Sequence, residues 1–223
     1  MARAFGGVLA LRPAVVRLVS AAWLLLVAVV PLSTAAQESA APRAVATFAG
    51  GCFWCMQPPF EHLNGVLSTT VGYTGGHTKN PTYQEVSAGG TGHAESIQIV
   101  YDPGTISYQT LLDVFWHNVD PVTPNAQFCD HGDQYRTAIF YHDDTQRRLA
   151  EESKQRLDAA QRLPGPIVTQ IVPASEFYPA EEYHQKYHEK NPVRYRYYRW
   201  NCGRDQRLKQ LWGDAAGHME PME

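Results

Sequence analysis

The architecture of this chain follows from fourteen residues, Arg43-Ala44-Val45-Ala46-Thr47-Phe48-Ala49-Gly50-Gly51-Cys52-Phe53-Trp54-Cys55-Met56. The first half of this run predicts a strand that stops at Gly50-Gly51, and the second half can begin a helix. This pattern places Cys52 at a helix N-terminus. Because Pro58 and Pro59 each lack a backbone donor, we expect the helix to kink or to be short.

Strands and helices alternate through the rest of the chain. Alternating or β-branched residues predict strands at 66–73, 95–101, 136–141 and 167–172, and helical spacing predicts helices at 107–117 and 143–163. A long loop or a short helix is expected around Tyr83. The segment 179–200 is expected to be helical at first and then irregular. The whole pattern predicts one α/β or α+β domain with a long irregular C-terminal segment.

The composition fits one globular domain with an additional N-terminal segment. The chain has 223 residues, of which 44% are hydrophobic and 18% are charged. Its 19 lysines and arginines stand against 22 acidic residues, which leaves a formal net charge of -3. Since there is no basic excess to neutralise phosphates, we expect no nucleic-acid partner.

The first 36 residues have the three-part layout of a secretory signal peptide. Three arginines precede an apolar run at 18–30, and a stretch of small residues follows at 33–36. We therefore expect export to a periplasmic or extracellular location, with cleavage near Ala36. An uncleaved membrane anchor is the alternative, but about thirteen helical residues rise only about 20 Å, short of the roughly 30 Å of hydrocarbon. The expected organisation is then a linker at 37–43, a domain at 44–212 and a tail at 213–223.

Four cysteines follow the N-terminal segment: Cys52, Cys55, Cys129 and Cys202. In an exported protein, an even number of cysteines is typical of structural disulfides, here two of them. A domain of about 180 residues can fold without such cross-links, and a Cys52–Cys55 bond would close too small a loop to constrain an unfolded chain. The Cys52–Cys55 pair therefore favours redox chemistry.

Cys52 and Glu95 are the first candidates for chemistry. A helix N-terminus stabilises the thiolate, the reactive form of cysteine, and Phe53 and Trp54 offer either an apolar wall or ordinary core packing. Glu95 enters a strand otherwise lined by isoleucine, where partial desolvation would raise its pKa towards neutrality. A surface or ion-paired glutamate is the alternative. A second polar stretch, at 130–136, is either a turn or part of the site.

Five ordered motifs over residues 45–212 resemble the A-type peptide methionine-S-sulfoxide reductases. The motifs are Gly50-Gly51-Cys52-Phe53-Trp54, Val71-Gly72-Tyr73-Thr74-Gly75-Gly76, Tyr83, Gly92-His93-Ala94-Glu95 and the run from Asp130 to Arg136. The resemblance implies a ferredoxin-like α/β sandwich with a mixed sheet. It also implies reduction of methionine-S-sulfoxide, free or in proteins, by a monomer that needs no cofactor.

The resemblance also implies a role for each site residue. Cys52 would be the nucleophile that becomes a sulfenic acid, and Glu95 would be the proton donor. Phe53 and Trp54 would hold the S-methyl group and so favour the S epimer. The polar groups that would hold or support the sulfoxide oxygen are Tyr83, Tyr135 and Asp130.

The cysteine that resolves the sulfenic acid is where this sequence departs from the commoner family pattern. Cys55 replaces the glycine that follows Phe-Trp and, three residues along a helix, lies on roughly the same face as Cys52. We expect a Cys52–Cys55 disulfide, with Cys202 as the competing resolver or a second relay. Cys129 is expected to be a packed thiol. A separate thioredoxin-like partner would then reduce the disulfide.

Two rival functions share some of these features. A thioredoxin-type thiol-disulfide oxidoreductase also has Cys-x-x-Cys at a helix start, but it would leave the Glu95 and Tyr135 motifs without a task. The second rival is a zinc site built from all four cysteines, although Cys129 and Cys202 do not form a close pair in sequence. The sequence carries no flavin, nicotinamide or metal-binding fingerprint.

Overall fold

The computed structural model describes residues 42–217. Its strands are β1 (Ala44–Gly50), β2 (Val66–Thr74), β3 (Ala94–Tyr101), β4 (Ala126–Gln127), β5 (Asp130–His131), β6 (Thr137–Tyr141), β7 (Gln170–Pro173) and β8 (Tyr178–Pro179). The strands predicted at 66–73, 95–101, 136–141 and 167–172 correspond to β2, β3, β6 and β7. The expected signal peptide and most of the expected linker lie outside the described residues.

Six of the strands form one mixed sheet in the order β7-β6-β1-β3-β2-β8. β6 and β7 run parallel, and every other neighbouring pair in this sheet is antiparallel. The two short strands β4 and β5 form a separate antiparallel hairpin. The predicted α+β domain with a mixed sheet is confirmed.

The helices are α1 (Phe53–Met56), α2 (Pro58–Glu61), α3 (Tyr83–Ala88), α4 (Tyr108–His117), α5 (Asp144–Ala160), α6 (Tyr187–Lys190), α7 (Pro192–Asn201) and α8 (Arg204–Trp212). The short α1 and α2 meet the expectation drawn from Pro58, which begins the second of them. Within residues 42–217, no helix is long and apolar enough to cross a membrane.

The main core lies between the sheet and α4. Phe48 of β1 stacks on Phe115 of α4 with ring centroids 5.0 Å apart. The indole N–H of Trp116 donates to the hydroxyl of Ser153 on α5 over 3.0 Å, so the largest buried side chain has its polar atom satisfied. Ser107 caps the start of α4, the helix predicted over 107–117, by accepting a hydrogen bond from the Thr110 N–H.

The segment 179–200 was expected to be helical at first and then irregular, and this prediction was wrong, because the segment is irregular at first and then helical. Between the end of β7 and Lys186 the chain contains only the short strand β8. The helices α6, α7 and α8 follow. Tertiary packing explains the difference, because Tyr187 stacks on Trp54 with centroids 3.7 Å apart and Arg204 is buried at the start of α8. Pro192 occupies the first turn of α7, where its missing donor is not needed.

Candidate active site

The turn between β1 and α1 presents Cys52. Gly51 has a φ of 78°, and a Cβ at this position would come within 2.4 Å of the Gln127 Cβ. Glycine therefore satisfies both the left-handed backbone and the close approach. Cys52 lies at the N-cap of α1, and the Cys55 N–H donates to its carbonyl oxygen over 3.0 Å. This is the placement that the sequence predicted.

Cys52 and Cys55 are buried free thiols that share a side-chain hydrogen bond. This hydrogen bond, together with the positive charges of Arg204 and Arg199, lowers the pKa of Cys55 to about 6. Burial and the neighbouring Cys55 raise the pKa of Cys52. The reduced pair therefore carries one negative charge and one shared proton at neutral pH. The directions of the two shifts place the charge on Cys55 and the proton on Cys52, and Cys52 becomes the thiolate when that proton passes along the hydrogen bond to Cys55.

Glu95 is the second residue of β3 and lies beside the end of β1, because Ala49 pairs with Ser96 in the sheet. The side chain is buried, with the residue only 2% exposed, and its Oε2 accepts a hydrogen bond from the Phe53 N–H over 3.1 Å. Burial raises the pKa of Glu95 to about 8, against the lowering effect of the Phe53 hydrogen bond. The carboxyl group thus holds a proton at neutral pH. The alternative of a surface glutamate is wrong.

Glu95→Gln should change how stability depends on pH. The folded protein keeps the Glu95 proton up to about pH 8, whereas the unfolded chain releases it near 4.5. The folded state therefore binds more protons between these values, and the wild type loses stability as pH rises through this window. Glutamine removes this contribution, so between pH 5 and pH 8 the wild type should lose on the order of 3 kcal/mol more than the variant. Urea unfolding of both proteins at the two pH values measures the difference; equal losses would contradict the burial account.

Three phenols surround Cys52 and Glu95: those of Tyr83, Tyr135 and Tyr198. Burial raises the pKa of Tyr83 to about 12 and also raises the pKa values of Tyr135 and Tyr198, so all three remain protonated. Tyr198 donates to Asp130 Oδ2 over 2.5 Å. The Tyr83 and Tyr135 hydroxyls can thus donate to an oxygen atom placed between them, while Asp130 orients Tyr198.

Tyr198 was missed from the sequence. It comes from α7, far along the chain from the motif of Cys52, and four tyrosines lie close together between residues 187 and 198. The density of tyrosine in this segment was the only available signal. Nothing in the sequence distinguishes Tyr198 from Tyr197, which is 65% exposed in the structure.

Phe53 and Trp54 contribute to the site in different ways. Phe53 is 1% exposed and packs on Tyr73, so it is also a core residue. Trp54 is half-buried, stacks on Tyr187, and donates its indole N–H to His184 Nδ1 over 2.9 Å. The stacking on Tyr187 fixes one face of the indole and the hydrogen bond fixes its nitrogen, so the ring forms a rigid apolar wall of the site.

These side chains enclose a cavity of about 80 Å³. Its lining is Cys52, Phe53, Trp54, Tyr83, Glu95, Asp130, Tyr135 and Tyr198. Pockets for drug-sized ligands usually measure roughly 300–1,000 Å³, so this one admits only a small group. All the predicted site residues except the two proposed resolving cysteines, Cys55 and Cys202, line this one cavity.

Cys129 and Cys202 form a disulfide, with their Cα atoms 4.9 Å apart. The expectation that Cys129 is a packed thiol was therefore wrong. Cys129 lies exposed in the turn of the β4–β5 hairpin, where it meets Cys202, the C-cap residue of α7. The bond leaves Cys55 as the free thiol beside Cys52. It also removes two of the four thiolates that a zinc site would need.

A protein family and several of its members are similar to this sequence. The profile of the family described as Peptide methionine sulfoxide reductase matches residues 44–216. Peptide methionine sulfoxide reductase MsrA of Bacillus licheniformis is 54% identical over 171 residues, which cover 77% of this chain and 94% of the relative. The MsrA of Bacillus subtilis is 50% identical over 171 residues, covering 77% and 97%.

Two solved structures share the fold. Mxr1 from Saccharomyces cerevisiae in reduced form has a TM-score of 0.63 at 35% identity and covers 67% of this chain and 86% of its own. Methionine sulfoxide reductase A of Corynebacterium diphtheriae has a TM-score of 0.61 at 35% identity and covers 68% and 76%. The fold, the cavity around Cys52 and the relatives agree, and the chain belongs to the peptide methionine sulfoxide reductase family.

Proposed function

We propose that this enzyme reduces methionine-S-sulfoxide, free or in proteins, through Cys52 as nucleophile and Glu95 as acid. The observation that carries this proposal is the cavity that contains a reactive thiol, a protonated carboxyl group and phenolic donors within one small volume. The cavity has room for the methyl sulfoxide end of a side chain and not for a peptide. Repair of oxidised methionine in proteins therefore requires only that the side chain be accessible.

The first half-reaction transfers the sulfoxide oxygen to Cys52. The thiolate attacks the sulfoxide sulfur while Glu95 protonates the oxygen, and Tyr83 and Tyr135 stabilise the charge that develops there. The hydroxyl then passes from the sulfoxide sulfur to the Cys52 sulfur. The S–O bond of the substrate and the transient sulfur–sulfur bond both break, methionine leaves, and Cys52 becomes a sulfenic acid. The sulfoxide sulfur is thereby reduced by two electrons, and the Cys52 sulfur is oxidised by two.

The second half-reaction restores the thiol. The Cys55 sulfur attacks the Cys52 sulfenic acid, a Cys52–Cys55 disulfide forms, and the hydroxyl leaves as water after protonation. Cys55 is suited to this step because it already shares a hydrogen bond with Cys52, whereas Cys202 is bonded to Cys129. An external thioredoxin-like dithiol then reduces the disulfide by exchange.

Cys55→Ser tests this assignment of the resolving thiol. We expect the variant to release one methionine per enzyme and then to stop when a dithiol protein is the reductant, because the sulfenic acid has no neighbouring thiol. Rapid quenching and quantification of methionine give the burst and the steady rate. Cycling at the wild-type rate would assign the resolving role to Cys202.

We also infer that the protein is exported and works as a monomer. The support for export is the signal-peptide layout of the first 36 residues. A thioredoxin-like reductant must then be present outside the cytoplasm. N-terminal sequencing of protein recovered from the periplasm or medium should begin near Gln37, and a first residue within the apolar run would indicate a retained anchor.

A further inference from the structure

Arg204 is a buried guanidinium without an acidic partner. It is 1% exposed, and one of its terminal nitrogens donates to the carbonyl oxygens of Asn118, over 2.7 Å, and Gly50, over 3.3 Å. The same nitrogen contacts the Met56 sulfur at 3.1 Å. Within residues 42–217, no carboxylate lies within ion-pair distance of Arg204. A buried charge of this kind is costly unless a negative group compensates it.

The charge of Arg204 acts to lower the pKa of the Cys55 thiol of the reduced pair and also that of the Asp130 carboxyl. Gly50 precedes the Cys52–Cys55 segment and Met56 follows it, so the guanidinium contacts both sides of the motif. Two cations act on Cys55, namely Arg199 and Arg204. Arg199 is paired with Asp205 over 2.5 Å, whereas Arg204 forms no ion pair at contact distance within residues 42–217.

The Cys129–Cys202 disulfide lies between two contacts that join the same segments. On one side, the guanidinium carbon of Arg204 lies over the Phe128 ring, 4.5 Å from the ring centroid. On the other side, Asp130 accepts the hydrogen bond from Tyr198. Phe128 also has a φ of 58°, a left-handed conformation that non-glycine residues keep only where their surroundings impose it. The covalent bond therefore fixes the hairpin turn against both Arg204 and Tyr198.

We propose that Arg204 is a positioning residue that holds the negative charge of the reduced Cys52–Cys55 pair, and that the Cys129–Cys202 disulfide keeps Arg204 in place. The proposal rests on the function proposed above for Cys52. Arg204 does not touch the cavity, and acts through the thiols. The disulfide would then affect the ionisation of the Cys52–Cys55 pair, in addition to joining the β4–β5 hairpin to the C-terminal helices.

Other charged and titratable groups face the thiol pair from every side. They are Glu95 from β3, Asp130 from β5, Tyr83 from α3, Tyr135 before β6, and Tyr195, Tyr198 and Arg199 from α7. Glu95 and Asp130 oppose a thiolate when they are charged, and the phenols stay neutral. The positive contribution must therefore come from the arginines.

The test is the pH dependence of iodoacetamide alkylation at Cys52, the sulfur of the pair that lines the cavity, located by peptide mass spectrometry. The protein is used with this pair reduced and the Cys129–Cys202 bond verified intact. The pair acquires its negative charge with the pKa of Cys55, about 6, and Cys52 shares that charge through the hydrogen bond, so alkylation should be half-maximal near this pH in the wild type. In Arg204→Met the midpoint should rise by at least about one pH unit, which slows alkylation at pH 5 about tenfold. Arg204→Lys, which keeps the charge, should recover most of the loss.

The matched control is Arg207→Met, one turn further along α8. Arg207 is already paired with Asp120 over 2.8 Å, so the midpoint should stay at its wild-type value. An unchanged midpoint in a folded Arg204→Met protein, checked by circular dichroism, would overturn the role of the charge. Alkylation needs no sulfoxide turnover, so this result is independent of the proposed reaction.

The disulfide is tested separately with the Cys129→Ser/Cys202→Ser double variant. The midpoint should rise in the same direction as in Arg204→Met, with alkylation at pH 5 slower by at least about threefold. A lower melting temperature with an unchanged midpoint would show that the disulfide is a purely structural cross-link, and would overturn its proposed role in keeping Arg204 in place. If Arg204→Met does not fold, Phe128→Leu tests how the Arg204 charge is positioned, since it removes the ring that lies against the guanidinium, and the midpoint should again rise. An unchanged midpoint in that variant would count against the proposal.

Discussion

Cys52→Ser should lower the rate of methionine-S-sulfoxide reduction by more than about 10³-fold, because the nucleophile is lost and a serine hydroxyl stays protonated at neutral pH. The neighbouring Cys55 cannot take over, since it is 1% exposed and is absent from the cavity lining. The measurement is methionine release in a single turnover with excess enzyme.

The variant should keep an intact pocket. Serine is close in size to cysteine, and Cys52 is at the N-cap of α1, a position where serine is favoured. Substrate binding, followed through Trp54 fluorescence, should therefore persist. A single-turnover rate within tenfold of the wild type would remove Cys52 as the nucleophile.

Glu95→Gln should slow the first half-reaction by about 10²-fold or more, because general acid catalysis typically contributes 10²- to 10⁴-fold. The glutamine oxygen can still accept the Phe53 N–H, so the local structure is retained. The acid is lost while the shape of the cavity is kept. Glu151→Gln, at an exposed position on α5, is the matched control and should react at the wild-type rate.

The pH profile gives the sign of the Glu95 effect. The pKa of Glu95 is raised to about 8, so the acid form predominates below pH 8 and disappears above it. The wild-type single-turnover rate should therefore fall as pH rises through about 8, and the variant should lack this fall. Equal rates and parallel profiles in the two proteins would show that the proton comes from another group.

The sequence predicted those parts of the site that are set by local chain geometry. Gly50-Gly51 ends β1 and leads into α1, so the position of Cys52 could be inferred from a few consecutive residues. Glu95 was identified through the order of motifs that resembles the family. Its burial depends on the pairing of β1 with β3, which only the structure establishes.

The contributions of the C-terminal helices could not be inferred in this way. Cys129 and Cys202 are separated by 73 residues, and nothing in their sequence neighbourhoods indicates that they meet. Arg204 was not distinguishable from any other arginine, since its burial depends on the packing of α8 against the turn at Gly50. The same long-range packing makes this segment helical, against its weak local preference.

Trapping the sulfenic acid tests the central claim most directly. The Cys55→Ser variant is mixed with one equivalent of methionine-S-sulfoxide, treated with dimedone and mapped by peptide mass spectrometry. We expect one methionine per enzyme and one dimedone adduct, located on Cys52. Release of methionine while Cys52 remains an unmodified thiol would contradict transfer of the sulfoxide oxygen to this sulfur.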